Sequence, residues 1–482
     1  MMAVVSRGQA GLLVGPLLAI LMLLGVPPEG MTLAAWRTAA VGILMAIWWV
    51  TEAIPIPATA LLPLVLFPVL GIASPTAAAA PFANPVIYLF LGGFIIALAL
   101  EHCGLHRRLA IGILRVAGTR PGPLIFGFML ATAFVSMWVS NTATVVMMLP
   151  MATAVIALAS VPEQATTPAH ADAFPTALLL GIAYAANIGG LGTLIGTPPN
   201  ALLAGFLDAS YGIQIGFAEW MVLGVPIVVL TLPISWWLLT QRLHPVGSAP
   251  IAGGGAILDE LQGQSGSMSR AEWIVGTITA LTALAWVGRP ILERWVPGLS
   301  DTGIAVAGAL LLFLVPISFR PMEVPLRWEH AERLPWGVLI LFGGGLSLAA
   351  SVQESGLATW IGGELDGLRA LPFVVVMVLV TAVVIFLTEL TSNTATAAAF
   401  LPVVASFAIG IGADPLLLTI PTALAASCAF MMPVATPPNA LVYGTGRITL
   451  PQMAHAGIWL NLLFIAVLPL MVLLAATRLF AR

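Results

Sequence analysis

The sequence predicts an all-α polytopic membrane protein, and three observations carry that prediction. The 482 residues are 60% hydrophobic and only 8% charged, with a mean hydropathy of +1.06. A soluble domain carries about 25% charged residues, so this chain cannot cover a water-facing surface. Apolar runs long enough for a spanning helix, about 20 residues, recur along its whole length. The polar residues that interrupt those runs come in matched sets, which points to an internal duplication.

Composition also excludes functions. A net charge of −3 gives no footprint for nucleic acid or anionic partners. All 17 basic residues are Arg. Cys103 and Cys428 lie far apart in apolar segments, and the six histidines are scattered. No metal-ligand spacing, redox CxxC or catalytic constellation emerges, so no catalytic residue is assigned and an enzyme is not expected.

The elements follow in chain order. The first apolar run continues through Pro16 to Val26 without a small-residue cleavage site, and reads as a first spanning helix within 1–31. Spans are expected at about 9–26, 32–51, 55–74, 83–101, 174–195, 217–240, 271–288, 302–319, 336–352, 412–434 and 455–477, eleven in all. Two further apolar stretches, 121–158 and 370–410, carry polar residues near their middles. Each fits a re-entrant helical hairpin, or two full spans joined at the polar residues. Segment 243–270 is a long Gly/Ser-rich loop and reads as a linker.

Charge favours one orientation. With a cytoplasmic N-terminus and hairpins that do not cross, 11 arginines face the cytoplasm and 6 the other side, as the positive-inside rule expects. The C-terminus is then extracytoplasmic.

The duplication is read from spacing. Ser140–Pro150 (SNTATVVMMLP) and Ser392–Pro402 (SNTATAAAFLP) agree at seven of eleven positions, 252 residues apart. Gly92-Gly93 and Gly344-Gly345 share that offset, as do Gly104-Leu105 and Gly356-Leu357. Gly196–Gly205 (GTPPNALLAG) and Ala435–Gly444 (ATPPNALVYG) agree at seven of ten positions, 239 apart. The longer polar loop 161–175 of the first half accounts for most of the slip. Two repeats result, 32–242 and 271–482, each with five spans, a hairpin and a broken helix (174–208 and 412–446). An odd number of crossings makes consecutive repeats inverted in topology, as in many secondary transporters.

Each repeat thus supplies a Ser-Asn-Thr turn and a Thr-Pro-Pro-Asn turn. Proline lacks an N–H and disrupts the helix around it. Broken helices expose carbonyls at one end and N–H groups at the other. Carbonyls with Ser, Thr and Asn oxygens suit a hard cation such as Na⁺; helix N-termini with hydroxyl and amide donors suit a carboxylate. No Arg lies within any of the four turns. An anion there must be met by helix termini, worth about half a charge each, and by co-bound cations. Glu389, three residues before Ser392, has Met137 as its counterpart. It reads either as functional or as a carboxylate pinned by local donors that holds the hairpin. Glu52 is placed at an interfacial helix end.

These residues carry a resemblance. The paired Ser-Asn-Thr turns, FLTELTSNTATAAAFLP from Phe386, both Thr-Pro-Pro-Asn turns and WWVTEAIPIPATALLP from Trp48 resemble the divalent anion/sodium symporter family, the Indy-type di- and tricarboxylate transporters. The resemblance implies a homodimer in the inner (plasma) membrane, with a scaffold domain and an elevator-like transport domain, and makes both polar stretches re-entrant hairpins. It implies one Na⁺ site from Ser136, Ser140, Asn141 and Gly196, and another from Thr388, Thr391, Ser392, Asn393 and Ala435. It implies that Asn141, Thr142, Thr197, Pro198, Asn393, Thr394, Thr436 and Pro437 face the substrate carboxylates. The expected activity is Na⁺-coupled symport of C4-dicarboxylates such as succinate, malate or fumarate. The rivals are Na⁺-independent dicarboxylate exchange, tricarboxylate or sulfate transport, and, from other classes, a channel or membrane enzyme.

Overall fold

A computed structural model of the chain describes residues 7–159, 173–251, 266–364 and 371–479, with positions 255, 256, 260 and 263 in between. Loop 161–172 and most of linker 252–265 lie outside the described residues. Helix α1 (Arg7–Leu24) lies along α2 (Leu33–Thr51). Gly11 permits the close approach: a Cβ there would meet the Thr51 hydroxyl at 1.9 Å, and Trp48 Nε1 donates to the Gly11 carbonyl at 3.1 Å. Glu52 ends α2 in the left-handed region (φ 51°) and is exposed.

The next elements are α3 (Ile56–Thr59), α4 (Leu62–Val69), α5 (Pro85–Cys103), α6 (Leu105–Ala117), α7 (Pro121–Ser136), α8 (Asn141–Ala159), α9 (Ala173–Gly190), α10 (Pro198–Tyr211) and α11 (Phe217–Trp237). The last of these continues as a π-helix to Leu243. The same order then recurs: α12 (Arg270–Leu292), α13 (Asp301–Leu314), α14 (Trp336–Glu354), α15 (Leu357–Glu364), α16 (Phe373–Thr388), α17 (Asn393–Gly410), α18 (Pro415–Ala426), α19 (Pro437–Tyr443) and α20 (Leu450–Leu479). Among the described residues the only strands are Ser318–Phe319 and Met322–Glu323, a minimal antiparallel pair.

Nine helices among the described residues are long and apolar enough to cross a membrane. Eight match expected spans and the ninth is α17. The other three expected spans are shorter than predicted. Segment 55–74 is not one helix: Pro57 and Pro63 sit in the first turns of α3 and α4, where a new helix starts, while Pro68 lies inside α4. The run 302–319 stops at Leu314, ahead of Pro316. The run 412–434 stops at Ala426, and its last residues form an unwound segment.

Matching glycines explain the recurring spacings. Gly104 (φ 78°) and Gly356 (φ 81°) both adopt the left-handed conformation that turns a long helix into the short α6 or α15. The Gly-Gly pairs serve a close approach across the two halves. A Cβ on Gly92 of α5 would meet the Ala305 backbone of α13 at 2.7 Å. One on Gly344 of α14 would meet the Ala60 carbonyl, between α3 and α4, at 2.1 Å. Each half's Gly-Gly helix therefore rests on the other half.

Helices α7 and α16 are 16 residues each, about 24 Å at 1.5 Å per residue. That is less than the roughly 30 Å of a hydrocarbon core. Helix α7 packs on α9 and α16 on α18, while α8 meets α19 and α17 meets α10. The polar turns are brought together by this crossed packing.

Candidate functional site

In the first tip, α7 ends at Ser136 and α8 starts at Asn141. Ser136 Oγ lies against Asn141 Oδ1 and 2.8 Å from the Ala186 carbonyl of α9. In the second, Thr388 Oγ1 lies 2.8 Å from Asn393 Oδ1 and 2.8 Å from the Ala426 carbonyl of α18. Each cluster gathers three oxygens around a single hydroxyl proton. A cluster so rich in acceptors has the donor set of a hard-cation site. Gly190 keeps the first one open: a Cβ there would stand 3.0 Å from Asn141 Oδ1 and 3.1 Å from the Gly196 carbonyl.

The unwound segments are shaped by two asparagines. Asn200 Nδ2 donates to the carbonyls of Gly190 (3.0 Å) and Thr193 (2.8 Å). Asn439 Nδ2 donates to those of Ala429 (3.1 Å) and Met432 (3.0 Å). All three residues of each set differ by 239. Both asparagines are fully buried, and each Oδ1 is left without a hydrogen-bond partner. Thr197 and Thr436, both extended, lead into α10 and α19, with Pro198 and Pro437 at the first helical position. Proline fits there because that N–H has no intrahelical acceptor.

Two polar residues that sequence reasoning missed join the halves. Asn187 of α9 donates through Nδ2 to the Ala429 carbonyl (3.2 Å) and Thr436 Oγ1 (3.3 Å), and accepts from Asn141 Nδ2 at 3.5 Å. Ser427, just past α18, pairs its hydroxyl with Thr197 Oγ1 at 3.2 Å. Each repeat's Pro-Pro threonine therefore bonds the other repeat. Asn187 and Ser427 occupy matching places 240 residues apart. The signal available was one polar side chain among several in each apolar run, and the two differ in identity and fall outside the repeated motifs.

The sequence-predicted residues divide accordingly. Ser136, Asn141 and Gly196 converge, as do Thr388 and Asn393. Asn187 connects Asn141 to Thr436. The Thr391 hydroxyl bonds Leu387 O (2.9 Å) and Thr396 Oγ1 (2.6 Å) rather than the Asn393 side chain. Ser140 caps α8 by accepting from Ala143 N at 3.2 Å. Thr142 and Pro437 are exposed, Ser392 and Pro198 half-buried, and Thr394 and Ala435 buried.

Glu389 settles as an anchor. It is 3% exposed. Oε1 accepts from the amides of Phe430 (2.7 Å) and Met431 (2.9 Å) and from Asn461 Nδ2 of α20 (2.9 Å). Oε2 accepts from the amides of Met431 (3.0 Å) and Met432 (3.0 Å). Three consecutive amides of the unwound segment thus close on one carboxylate, the pinned arrangement of the two expected for it. At the first tip, Met137 packs on Gly192 and its carbonyl accepts from the Thr193 hydroxyl.

A duplicated helical membrane protein with paired polar tips and broken helices belongs to the class of secondary transporters. Known proteins narrow the class. The family model described as "Sodium:sulfate symporter transmembrane region" matches residues 10–480, and the chain belongs to that family. It is 43% identical over 467 residues to a sodium-dependent dicarboxylate transporter of Staphylococcus saprophyticus, covering 96% of this chain and 90% of the relative. A Staphylococcus aureus (strain USA300) protein of the same name is 42% identical, covering 97% and 91%. Among solved structures, the Alcanivorax borkumensis YdaH transporter aligns with a TM-score of 0.59 at 17% identity, covering 92% of this chain and 98% of that one. Neisseria gonorrhoeae MtrF aligns at 0.55 with 13% identity, covering 98% of each. These two likenesses concern the fold alone.

Proposed function

We propose that this chain is a Na⁺-coupled symporter of C4-dicarboxylates such as succinate, malate or fumarate. The observation that carries the reading is the pair of matched oxygen clusters, each at the start of a helix and free of arginine. Membership of the sodium symporter family and the names of the two staphylococcal relatives support the ion and the substrate class. Na⁺ would be held as cargo at Ser136, Ser140, Asn141 and Gly196, and at Thr388, Thr391, Ser392, Asn393 and Ala435. The substrate carboxylates would meet Asn141, Thr142, Thr197, Pro198, Asn393, Thr394, Thr436 and Pro437. Helix N-termini and the two cations would together neutralise a dianion that no arginine meets.

The same reading covers the architecture. The two repeats are inverted, the short α7 and α16 enter re-entrantly, and the hairpins with α9, α10, α18 and α19 move as an elevator against a dimeric scaffold. The N-terminus is cytoplasmic. The family description favours one second reading, transport of sulfate.

The test is uptake of labelled succinate by purified protein in liposomes. Uptake should require an inward Na⁺ gradient. Equal uptake without Na⁺ that demands internal dicarboxylate would establish exchange instead. Sulfate competing as well as succinate would favour the second reading.

A further inference from the structure

A cavity of about 440 Å³ lies between α5, α6, the first tip and α12. It is separate from the oxygen clusters and its lining is almost entirely apolar. Leu100 and Leu105 line one wall, Val135 and Trp138 of the first tip another, and Ala280 and Ala283 of α12 a third.

Three observations say what fills it. The cavity opens where lining residues are themselves exposed: Leu109 and Phe134 at 42% each and Trp273 at 61%. Exposed Leu281 and Leu284 continue that surface along α12. In a membrane protein an apolar surface of this kind faces hydrocarbon, so the mouth opens to lipid rather than water. The second observation is charge. The helix α6 carries Arg107, Arg108 and Arg115 and no acidic residue. Its Leu105, Ala110, Ile111 and Leu114 are buried while Arg107 and Arg115 are exposed. A basic amphipathic helix of this pattern lies in the interface and attracts anionic headgroups. Arg108 binds Glu272 at 2.8 Å, fixing α6 beside the start of α12. The matching helix α15 has no Arg and ends in Glu364. Finally, Thr279 lines the cavity with a buried hydroxyl that has no hydrogen-bond partner. Its neighbour Thr282 bonds back to the Ile278 carbonyl at 2.8 Å.

We propose that this cavity holds one acyl chain of an anionic membrane phospholipid, with the headgroup against the exposed Arg107 and Arg115 of α6. The chain runs from the interface down to Trp138 and Val139, beside the first oxygen cluster. On lipid entry the Thr279 side chain turns into the cavity, where an ester carbonyl supplies the acceptor its hydroxyl lacks.

Native mass spectrometry of the full chain in detergent tests this, with palmitoyl-oleoyl phosphatidylglycerol and the matching phosphatidylcholine as probes. One phosphatidylglycerol per chain should be retained, about tenfold more tightly than phosphatidylcholine, a difference of about 1.4 kcal/mol. Ala283→Phe should remove that lipid by filling the cavity. Leu109→Trp, at an exposed position that folding tolerates, should weaken it similarly. Arg107→Gln with Arg115→Gln should bring phosphatidylglycerol down to the phosphatidylcholine level. Unaltered retention in Leu109→Trp and in folded Ala283→Phe overturns the proposal, and so does equal retention of the two lipids by the unmutated chain.

Discussion

The tip at Ser136–Asn141 and the tip at Thr388–Asn393 repeat one oxygen cluster, yet they are anchored by different chemistry. At the first tip the surroundings are neutral: Met137 packs on Gly192, Thr193 bonds the Met137 carbonyl, and Trp220 Nε1 bonds the Leu191 carbonyl at 3.0 Å. At the second tip a buried carboxylate takes five hydrogen bonds, four of them from three consecutive amides. The difference follows from where the preceding helices stop. The helix α9 runs on to Gly190, whereas α18 ends at Ala426. The second unwound segment therefore has more free amides, and Glu389 satisfies them. A duplicated cluster can thus keep its ligand geometry while its two copies differ in rigidity.

The largest effect is expected where the copies agree. Asn141→Ala or Asn393→Ala removes the side-chain oxygen from a cluster and leaves the hydroxyl beside it bonded only to the Ala186 or Ala426 carbonyl. A lost buried partner costs about 1–3 kcal/mol, so each variant should lose about 10- to 100-fold in Na⁺-driven succinate uptake. If Asn141→Ala transports normally while Asn393→Ala is dead, the two clusters are not equivalent and the duplication has kept form without function.

The next effect breaks the comparison deliberately. Glu389→Met gives the second tip the first tip's residue but leaves the amides of Phe430, Met431 and Met432 without acceptors. Hydrogen bonds to a charged group contribute about 1.5–3 kcal/mol each, so thermal stability should fall sharply. Glu389→Gln keeps one acceptor oxygen and should fall between. The reciprocal Met137→Glu puts a carboxylate where no such amide cradle exists, and it should destabilise rather than rescue. A Glu389→Met protein as stable as the parent would remove the anchor role.

Much of this was legible from residue identity. The offsets of 252 and 239 located both tips and both Pro-Pro breaks, because the motifs that repeat are those whose backbone geometry cannot vary. The split into α3 and α4 could have been read from Pro57 and Pro63, but overall hydropathy masked them. Asn187 and Ser427 were not legible, since their roles come from contacts between repeats about 230 to 250 residues apart in sequence and their identities differ. The five bonds to Glu389 were hidden for the same reason: their donors are backbone amides and Asn461, and no motif encodes an unwound segment's reach.

A smaller effect should sharpen the link between the halves. Asn187→Ala removes contacts to Asn141, Ala429 and Thr436, while Ser427→Ala removes only that to Thr197. Asn187→Ala should therefore weaken Na⁺ dependence more, by about tenfold against about threefold, for net hydrogen bonds of 0.5–1.5 kcal/mol. Equal losses would mean that the two additional contacts of Asn187 contribute nothing.

The smallest effect tests a further asymmetry, supplied from outside the repeats. Arg7 of α1 donates from its guanidinium to the Val50 carbonyl at 2.9 Å and the Leu390 carbonyl at 2.8 Å. Val50 lies at the end of α2, and Leu390 lies in the second tip between Glu389 and Thr391. One exposed side chain therefore ties the second tip to the helix pair α1–α2, and the first tip has no such tie among the described residues. If the tips move against that pair during transport, the tie must break in each cycle. Arg7→Ala should then leave the succinate KM unchanged and alter the maximal uptake rate by a few-fold, since an exposed hydrogen bond contributes only about 1 kcal/mol. Arg7→Lys, a single donor group without the guanidinium fork, should fall between. A change in KM with an unchanged rate would place Arg7 in the binding machinery, and the second tip would then differ from the first in its ligand set as well as in its anchoring.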